Sequence, residues 1–229
     1  MGLANGVHHL AICTKDIKKQ IEFFTQHVGM ELVALYWMHG VDKTFHGFLK
    51  LGDSSSIAFC QSPEIGEIQP QKGVSHPAWT AAPVAAGVMQ HLALNVDSEA
   101  DLLAIRDRVR THGDWVMGPI DHGFCKSIYL AAPEGIMLEF STSEGKTIDA
   151  ESWIDPEVVR LSNISMAELD RYKHPPAFES RGGAVPNPAV DLAHPPMEFP
   201  PGREAVFAMS DAEVFARMSE TTPPVQAKR

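Results

Sequence analysis

The chain has 229 residues, 44% of them hydrophobic, enough to bury a sizeable core in one large domain or two small ones. Its 29 acidic residues against 19 basic ones give a formal charge of −10 with no Lys/Arg cluster, which argues against nucleic acid or an anionic membrane surface and leaves a small-molecule role. No apolar run reaches bilayer-spanning length and no charged start leads into an apolar N-terminal core, so no membrane partner and a cytoplasmic location are expected.

In chain order, His9-Leu10-Ala11-Ile12 reads as a short strand with a loop to Asp16. Ile17, Ile21, Phe24 and Val28 then recur at helical spacing, and the pattern stops at Gly29. Strand-like pieces follow at 31–36, 44–51 and 56–60. The segment 63–86 carries Pro63, Pro70, Pro77 and Pro83 and reads as a long linker. The opening pattern then returns as His91-Leu92-Ala93-Leu94 and Asp97, with Leu102, Ile105 and Val109 at helical spacing before Gly113. Strands are expected at 115–119, 125–131 and 136–141. The unit is thus β-α-β-β-β, twice, in modules 5–62 and 87–144 of an α+β fold. Each unit leaves an apolar sheet face to bury, so the pair is expected to form a cupped mixed sheet whose equivalent strands face one cavity.

The extension 145–229 holds helix candidates at 156–161 and 165–172, the latter with Ser165 as N-cap and Glu168 completing a capping box. Pro-rich coil follows Lys173, and a terminal helix is expected from near Ser210. This extension is expected to lie as an arm over the cup or a partner subunit, with its far end disordered. Cys13, Cys60 and Cys125 form an odd set without metal-ligand spacing and are expected to be reduced, mostly buried thiols.

The repeat places His9 and His91 at equivalent points, which would bring both imidazoles into one hollow; each read alone is an ordinary hydrogen-bonded core or edge histidine. Glu139 interrupts the apolar run Ile136-Met137-Leu138-Glu139-Phe140. Facing inward, its carboxylate requires a cationic partner; facing solvent, it requires none. Two imidazoles and one carboxylate are the ligand set of mononuclear non-haem iron(II), with positions open for substrate and dioxygen, and the same count suits zinc with a water. Aligning 56–59 with 137–140 sets Ala58 opposite Glu139, so no fourth protein ligand is evident.

With His9, His91 and Glu139 in a duplicated unit, the chain resembles the vicinal oxygen chelate (glyoxalase, bleomycin resistance, dioxygenase) superfamily over about residues 5–143. Within 120–139, His122, the pair Ile128-Tyr129, the turn Pro133-Glu134-Gly135 and then Glu139 resemble the signature of type I extradiol ring-cleavage dioxygenases. The resemblance implies opening of a catecholic ring by dioxygen at Fe(II), with Mn(II) or another divalent metal as the alternative, held by His9, His91 and Glu139. It assigns His122 a hydrogen bond to a substrate oxygen and Tyr129 a part in deprotonating substrate or steadying the oxygenated intermediate.

One feature of that family is missing. Where a second catalytic histidine is usual, this chain reads Gly52-Asp53-Ser54-Ser55-Ser56-Ile57, which leaves His46, His39 or His76 to supply the function. The competing readings are a metal-dependent isomerase, epimerase or lyase, against which Ala58 counts, and a non-catalytic binder of a flat hydrophobic ligand. Phe45, Phe48, Phe59, Phe124 and Trp115 suit an aromatic cavity wall or plain core. A small catechol-like substrate, dioxygen and a homo-oligomer are the expected partners.

Overall fold

In the computed structural model, which describes residues 4–225, alternation along each strand decides which side is buried. The first module consists of β1 (His9–Cys13), α1 (Ile17–Glu22), β2 (Glu31–Trp37), β3 (Phe45–Gly52) and β4 (Ser55–Gln61). The linker carries α2 (Pro63–Glu67), and the second module follows as β5 (Leu92–Asn95), α3 (Glu99–Thr111), β6 (Met117–Asp121), β7 (Lys126–Ala131) and β8 (Met137–Thr142). Each module makes a four-stranded mixed sheet, ordered β1-β4-β3-β2 and β5-β8-β7-β6. In each, the first and last strands pair in parallel and the others antiparallel. The α+β tandem repeat is as expected, each module forming its own four-stranded mixed sheet with β1 and β5 at an edge.

One hydrophobic core joins the modules. Leu49, Ile57 and Phe59 from the first sheet and Ile128, Leu130, Leu138 and Phe140 from the second pack with Phe24, Leu102 and Val109 from the helical segments. Polar clamps reinforce this junction. Arg108 on α3 donates to the carbonyl oxygens of Thr25 (3.3 Å) and Gln26 (3.0 Å), and the rings of His27 and His112 stack at 4.6 Å. Glu134, in the turn before β8, accepts from the Thr14 hydroxyl (2.6 Å), the Lys15 N–H (3.0 Å) and the Gln20 amide (3.0 Å). Thr14 and Gln20 are buried, so removing their acceptor strands the Thr14 hydroxyl proton and leaves the Gln20 amide only its longer 3.4 Å bond to the Pro133 carbonyl. Glu134→Ala is therefore expected to cost about 1–3 kcal/mol in denaturant unfolding; a cost near zero would mean that water replaces the carboxylate.

Several elements differ locally from expectation. Beyond Glu22 the first helix widens into a π-helical turn over Phe23–Val28, because the Thr25 hydroxyl takes up the Ile21 carbonyl at 2.7 Å. Gly29 ends it at φ 96°, and a Cβ there would lie 2.9 Å from the Arg108 guanidinium. The linker forms α2, because Ser62 caps the Ile65 N–H and Pro63 fits the first helical position. β6 starts two residues later than expected, leaving Trp115 exposed; its pairing with β7 shifts register around Pro119, which has no N–H to donate. Among the thiols, Cys125 is buried, Cys60 half-buried and Cys13 exposed, so only one matches the buried expectation.

Residues 149–225 form a second unit with α4 (Ala150–Trp153), α5 (Pro156–Leu161), α6 (Met166–Lys173), a 3-10 turn (Glu204–Ala208) and α7 (Asp211–Met218). Capping boxes close at Ser165/Glu168 and Ser210/Glu213, and Val159 is the buried hydrophobic side chain of this unit among the described residues. Its helices thus rest on local capping more than on a core of their own. Of the far end expected to be disordered, residues 226–229 lie outside the described residues. No described helix is long and apolar enough to cross a membrane.

Candidate functional site

Directly paired residues in a sheet point their side chains the same way, so register assigns the faces. In the second sheet Ala93, Glu139 and Tyr129 lie in one row, and Asn95, Ser141 and Ser127 in the next. One face therefore carries Glu139, Tyr129, Ser127 and Ser141, while Leu138, Phe140, Ile128 and Leu130 fill the other. His91 sits immediately before β5, two residues ahead of Ala93.

Glu139 is 6% exposed. The Ser141 hydroxyl donates to its Oε1 at 2.6 Å, the Ser127 hydroxyl lies 2.8 Å from that of Ser141, and His91 Nε2 stands 2.7 Å from Oε2. Burial pushes the carboxyl pKa up, but the serine hydroxyls, His91 and Tyr129 outweigh it and hold the group below its ordinary value. Glu139 is an anion at neutral pH.

His91 is oriented from behind. Its Nδ1 faces the Gln90 side-chain oxygen, and the Gln90 amide is turned that way by donating to the carbonyls of Thr80 (2.5 Å) and Ala82 (3.3 Å). Nδ1 then carries the proton, and Nε2 aims a lone pair at Glu139. Two acceptors 2.7 Å apart require a second proton or a cation between them. A divalent cation fits these two donors. Gln90→Leu, which frees the imidazole to turn, is expected to weaken Co(II) or Fe(II) binding about 10- to 100-fold by equilibrium dialysis; unchanged affinity would detach Gln90 from the site.

Tyr129 places its hydroxyl 2.7 Å from His122 Nε2, with its ring edge-on to His91 at 6.3 Å. Burial first, then the Glu139 charge, pushes its pKa up to about 12. Tyr129 is a neutral phenol at physiological pH, a donor and not a ready-made base. The folded chain holds this proton above the pH where the unfolded chain releases it. The associated stability is therefore intact below about pH 10 and is lost as pH rises towards 12. An ultraviolet tyrosinate titration of the three tyrosines should show a late component that Tyr129→Phe removes; persistence of that component in the variant would assign it elsewhere.

The first sheet repeats the geometry with different side chains. Ala11, Ala58 and Phe48 share one row, and Cys13, Cys60, His46 and Tyr36 the next. Position for position, Ala58 stands where Glu139 does, Phe48 where Tyr129 does, and His46 where Ser127 does. His9 is exposed, with its Nδ1 2.9 Å from that of His8 and its ring 5.7 Å from Phe48. His46 is 8% exposed: its Nδ1 lies 3.4 Å from the Tyr36 hydroxyl, and its Nε2 is buried without a hydrogen-bond partner. Burial, and after it the charge of nearby His9, lowers its pKa, so the imidazole is neutral. His39 lies against the Tyr36 ring and His76 bonds Ser75 in the linker, so of the three stand-in histidines it is His46 that shares the face of His9.

Of the expected ligands, His91 and Glu139 meet, while His9 stands apart beside His46. Among the described residues no three His, Cys, Asp or Glu side chains gather closely enough to hold a cation. His91 and Glu139 are brought together, and His9 is not brought to them. Of the aromatic candidates, Phe48 joins this first-sheet face; Phe59 is core, and Phe45 shares the side of Gly47 and Leu49. Ser127, Ser141 and Gln90 escaped notice in the sequence. The serines each lie two residues from Tyr129 or Glu139, so strand alternation was a signal for them. Gln90 had none, because its orientation depends on where the linker folds.

The family model described as the Glyoxalase/Bleomycin resistance protein/Dioxygenase superfamily matches residues 6–140. No curated protein matches the sequence. Solved structures similar to the chain include a glyoxylase/bleomycin resistance protein/dioxygenase domain from Frankia sp. EAN1pec, at 16% identity, covering 62% of this chain and 99% of that one with a TM-score of 0.48. TnmS3, an antibiotic binding protein from Streptomyces sp. CB03234, gives 17% identity, 63% and 100% coverage and a TM-score of 0.43. Leishmania major glyoxalase I gives 17% identity, 74% and 97% coverage and a TM-score of 0.42. Because the family match spans both β-α-β-β-β modules and more than half of the sequence, the chain belongs to the Glyoxalase/Bleomycin resistance protein/Dioxygenase superfamily.

Proposed function

We propose that the protein is an extradiol dioxygenase that opens a catecholic ring with dioxygen, using Fe(II), or Mn(II) in its place, with His9, His91 and Glu139 as protein ligands. The observation that carries this reading is the connected polar face of the second sheet. His122 meets the Tyr129 hydroxyl at 2.7 Å, and the Tyr129 ring lies edge-on to His91, which in turn meets Glu139 at 2.7 Å. A diol needs somewhere to lose protons and a donor to steady the resulting oxyanion. In this reading the Tyr129 phenol donates to the substrate oxygen, and His122 Nε2, at hydrogen-bond distance, holds that hydroxyl and exchanges a proton with it. His46, a neutral buried imidazole on the face of His9, takes the part of the missing second histidine.

The test is anaerobic reconstitution with Fe(II), then oxygen uptake and absorbance with a panel of catechols. A yellow ring-opened product with stoichiometric oxygen consumption is the expected result. Metal retained without oxygen consumption across the panel would replace this reading with a metal-dependent isomerase, epimerase or lyase. Tyr129→Phe should keep the metal and lower kcat roughly 100-fold or more, within the range general acid–base groups contribute.

A further inference from the structure

We propose that Cys13 and Cys60 form a reversible two-thiol site that a hydroperoxide oxidises to a disulfide within the chain, tying β1 to β4. The site needs neither the metal nor the reaction proposed above. Cys13 and Cys60 are direct register partners in the parallel pairing of these two strands, so their side chains leave the sheet on the same side. Paired strands lie about 4.8 Å apart, inside the span of roughly 4.4–6.8 Å between α-carbons that a disulfide bridges. The pairing is closed at this end, because the Thr14 N–H donates to the Cys60 carbonyl at 2.9 Å. Both sulfurs are free, and Cys13 is near enough for its charge to add to burial in raising the Cys60 pKa.

The two thiols differ in a way that divides the steps between them. Cys13 is exposed on an edge strand, open to a small solute, whereas Cys60 is half-buried on β4, between β1 and β3. Cys13 is therefore the thiol that meets the oxidant. Its thiolate attacks one peroxide oxygen; the O–O bond breaks, hydroxide leaves and takes up a proton as water, and Cys13 becomes a sulfenic acid. The Cys60 thiol, giving up its proton, then attacks the Cys13 sulfur; the S–S bond forms, the S–O bond breaks and a second water leaves. For hydrogen peroxide, two thiols and one H2O2 thus give one disulfide and two waters. His46, the register partner of Cys60 on β3, has a buried Nε2 without a hydrogen-bond partner, a proton acceptor on the same face. An uncharged oxidant also suits a chain of formal charge −10, which repels anionic ones. Cys125 stands outside this exchange: it is buried in the second module, with its sulfur 3.6 Å from the Ser127 hydroxyl.

The test treats the reduced full chain with a small excess of hydrogen peroxide, quenches it with catalase and counts thiols after unfolding. Wild type should fall from three thiols to one, lose two hydrogens in intact mass and yield one linked peptide containing Cys13 and Cys60; dithiothreitol should restore all three. Cys13→Ser, at an exposed position, should keep both its thiols. Cys60→Ala should stop at a Cys13 sulfenic acid that dimedone traps; if that variant fails to fold, the thiol count of Cys13→Ser and the linked peptide decide the question. Three thiols surviving in wild type, oxygen added to Cys13 while Cys60 stays reduced, or a bond joining Cys13 of two chains would each overturn the proposal. So would loss of thiols from Cys13→Ser as fast as from wild type, since Cys60 would then be reacting without its neighbour.

Discussion

Glu139→Ala is expected to abolish retention of a divalent metal, with affinity falling more than about 100-fold, beyond the cost of losing a group that merely orients a ligand. Glu139 is the carboxylate of the expected donor set, it is 6% exposed, and both its oxygens are engaged, one by Ser141 and the other by His91. Removing it takes away the negative charge that a dication would face and leaves the Ser141 hydroxyl without its acceptor. Glu139→Gln keeps the shape and the contact with Ser141 while losing the charge, so it should lose metal with less damage to folding. Metal per chain after dialysis, with circular dichroism as the check on folding, separates the two effects. Unchanged metal content in both variants would show that the ligand set is wrong.

Phe59→Ala should cost about 3–5 kcal/mol of unfolding free energy, the usual range for emptying a phenylalanine site in a core. Its ring is 0% exposed on β4 and lies 5.4 Å from that of Phe24, so the vacancy would open where the first sheet meets its helix. Set against a total stability of about 5–15 kcal/mol, that loss removes much of the margin. Phe45 is the internal control: on β3 of the same sheet it is 37% exposed, and Phe45→Ala should cost well under half as much. Equal costs in parallel urea titrations would contradict the placement of the core.

Periodicity is why most elements were readable. Ile57/Phe59 and Leu138/Phe140 alternate with Ala58 and Glu139, and that period of two marks both the strand and its buried side. Ser165 with Glu168 marks a helix start for a local reason, because each satisfies a backbone or side-chain group of the other within one turn. The errors came where a neighbour outvoted the local pattern. Thr25 diverted the Ile21 carbonyl and widened the first helix, and Pro119 interrupted the β6 ladder, shifting its register against β7.

The candidate site divides along the same line. Repetition made His9 and His91 visible, the break in an apolar run made Glu139 visible, and the resemblance to the extradiol signature singled out His122 and Tyr129; register then places Glu139 and Tyr129 in one row. The support for His91 was not visible, because Gln90 acquires its orientation only from the carbonyls of Thr80 and Ala82.

By itself the sequence determined the duplicated β-α-β-β-β unit, the faces of its strands and the residue types on them, since these follow from spacing within a few residues. Only the tertiary structure decided that the two sheets share a core without sharing a strand pairing, so that Glu139 meets His91 while His9 keeps company with His46. Repetition makes two segments alike; which of them meet depends on long-range packing of helices and edges that no local pattern encodes.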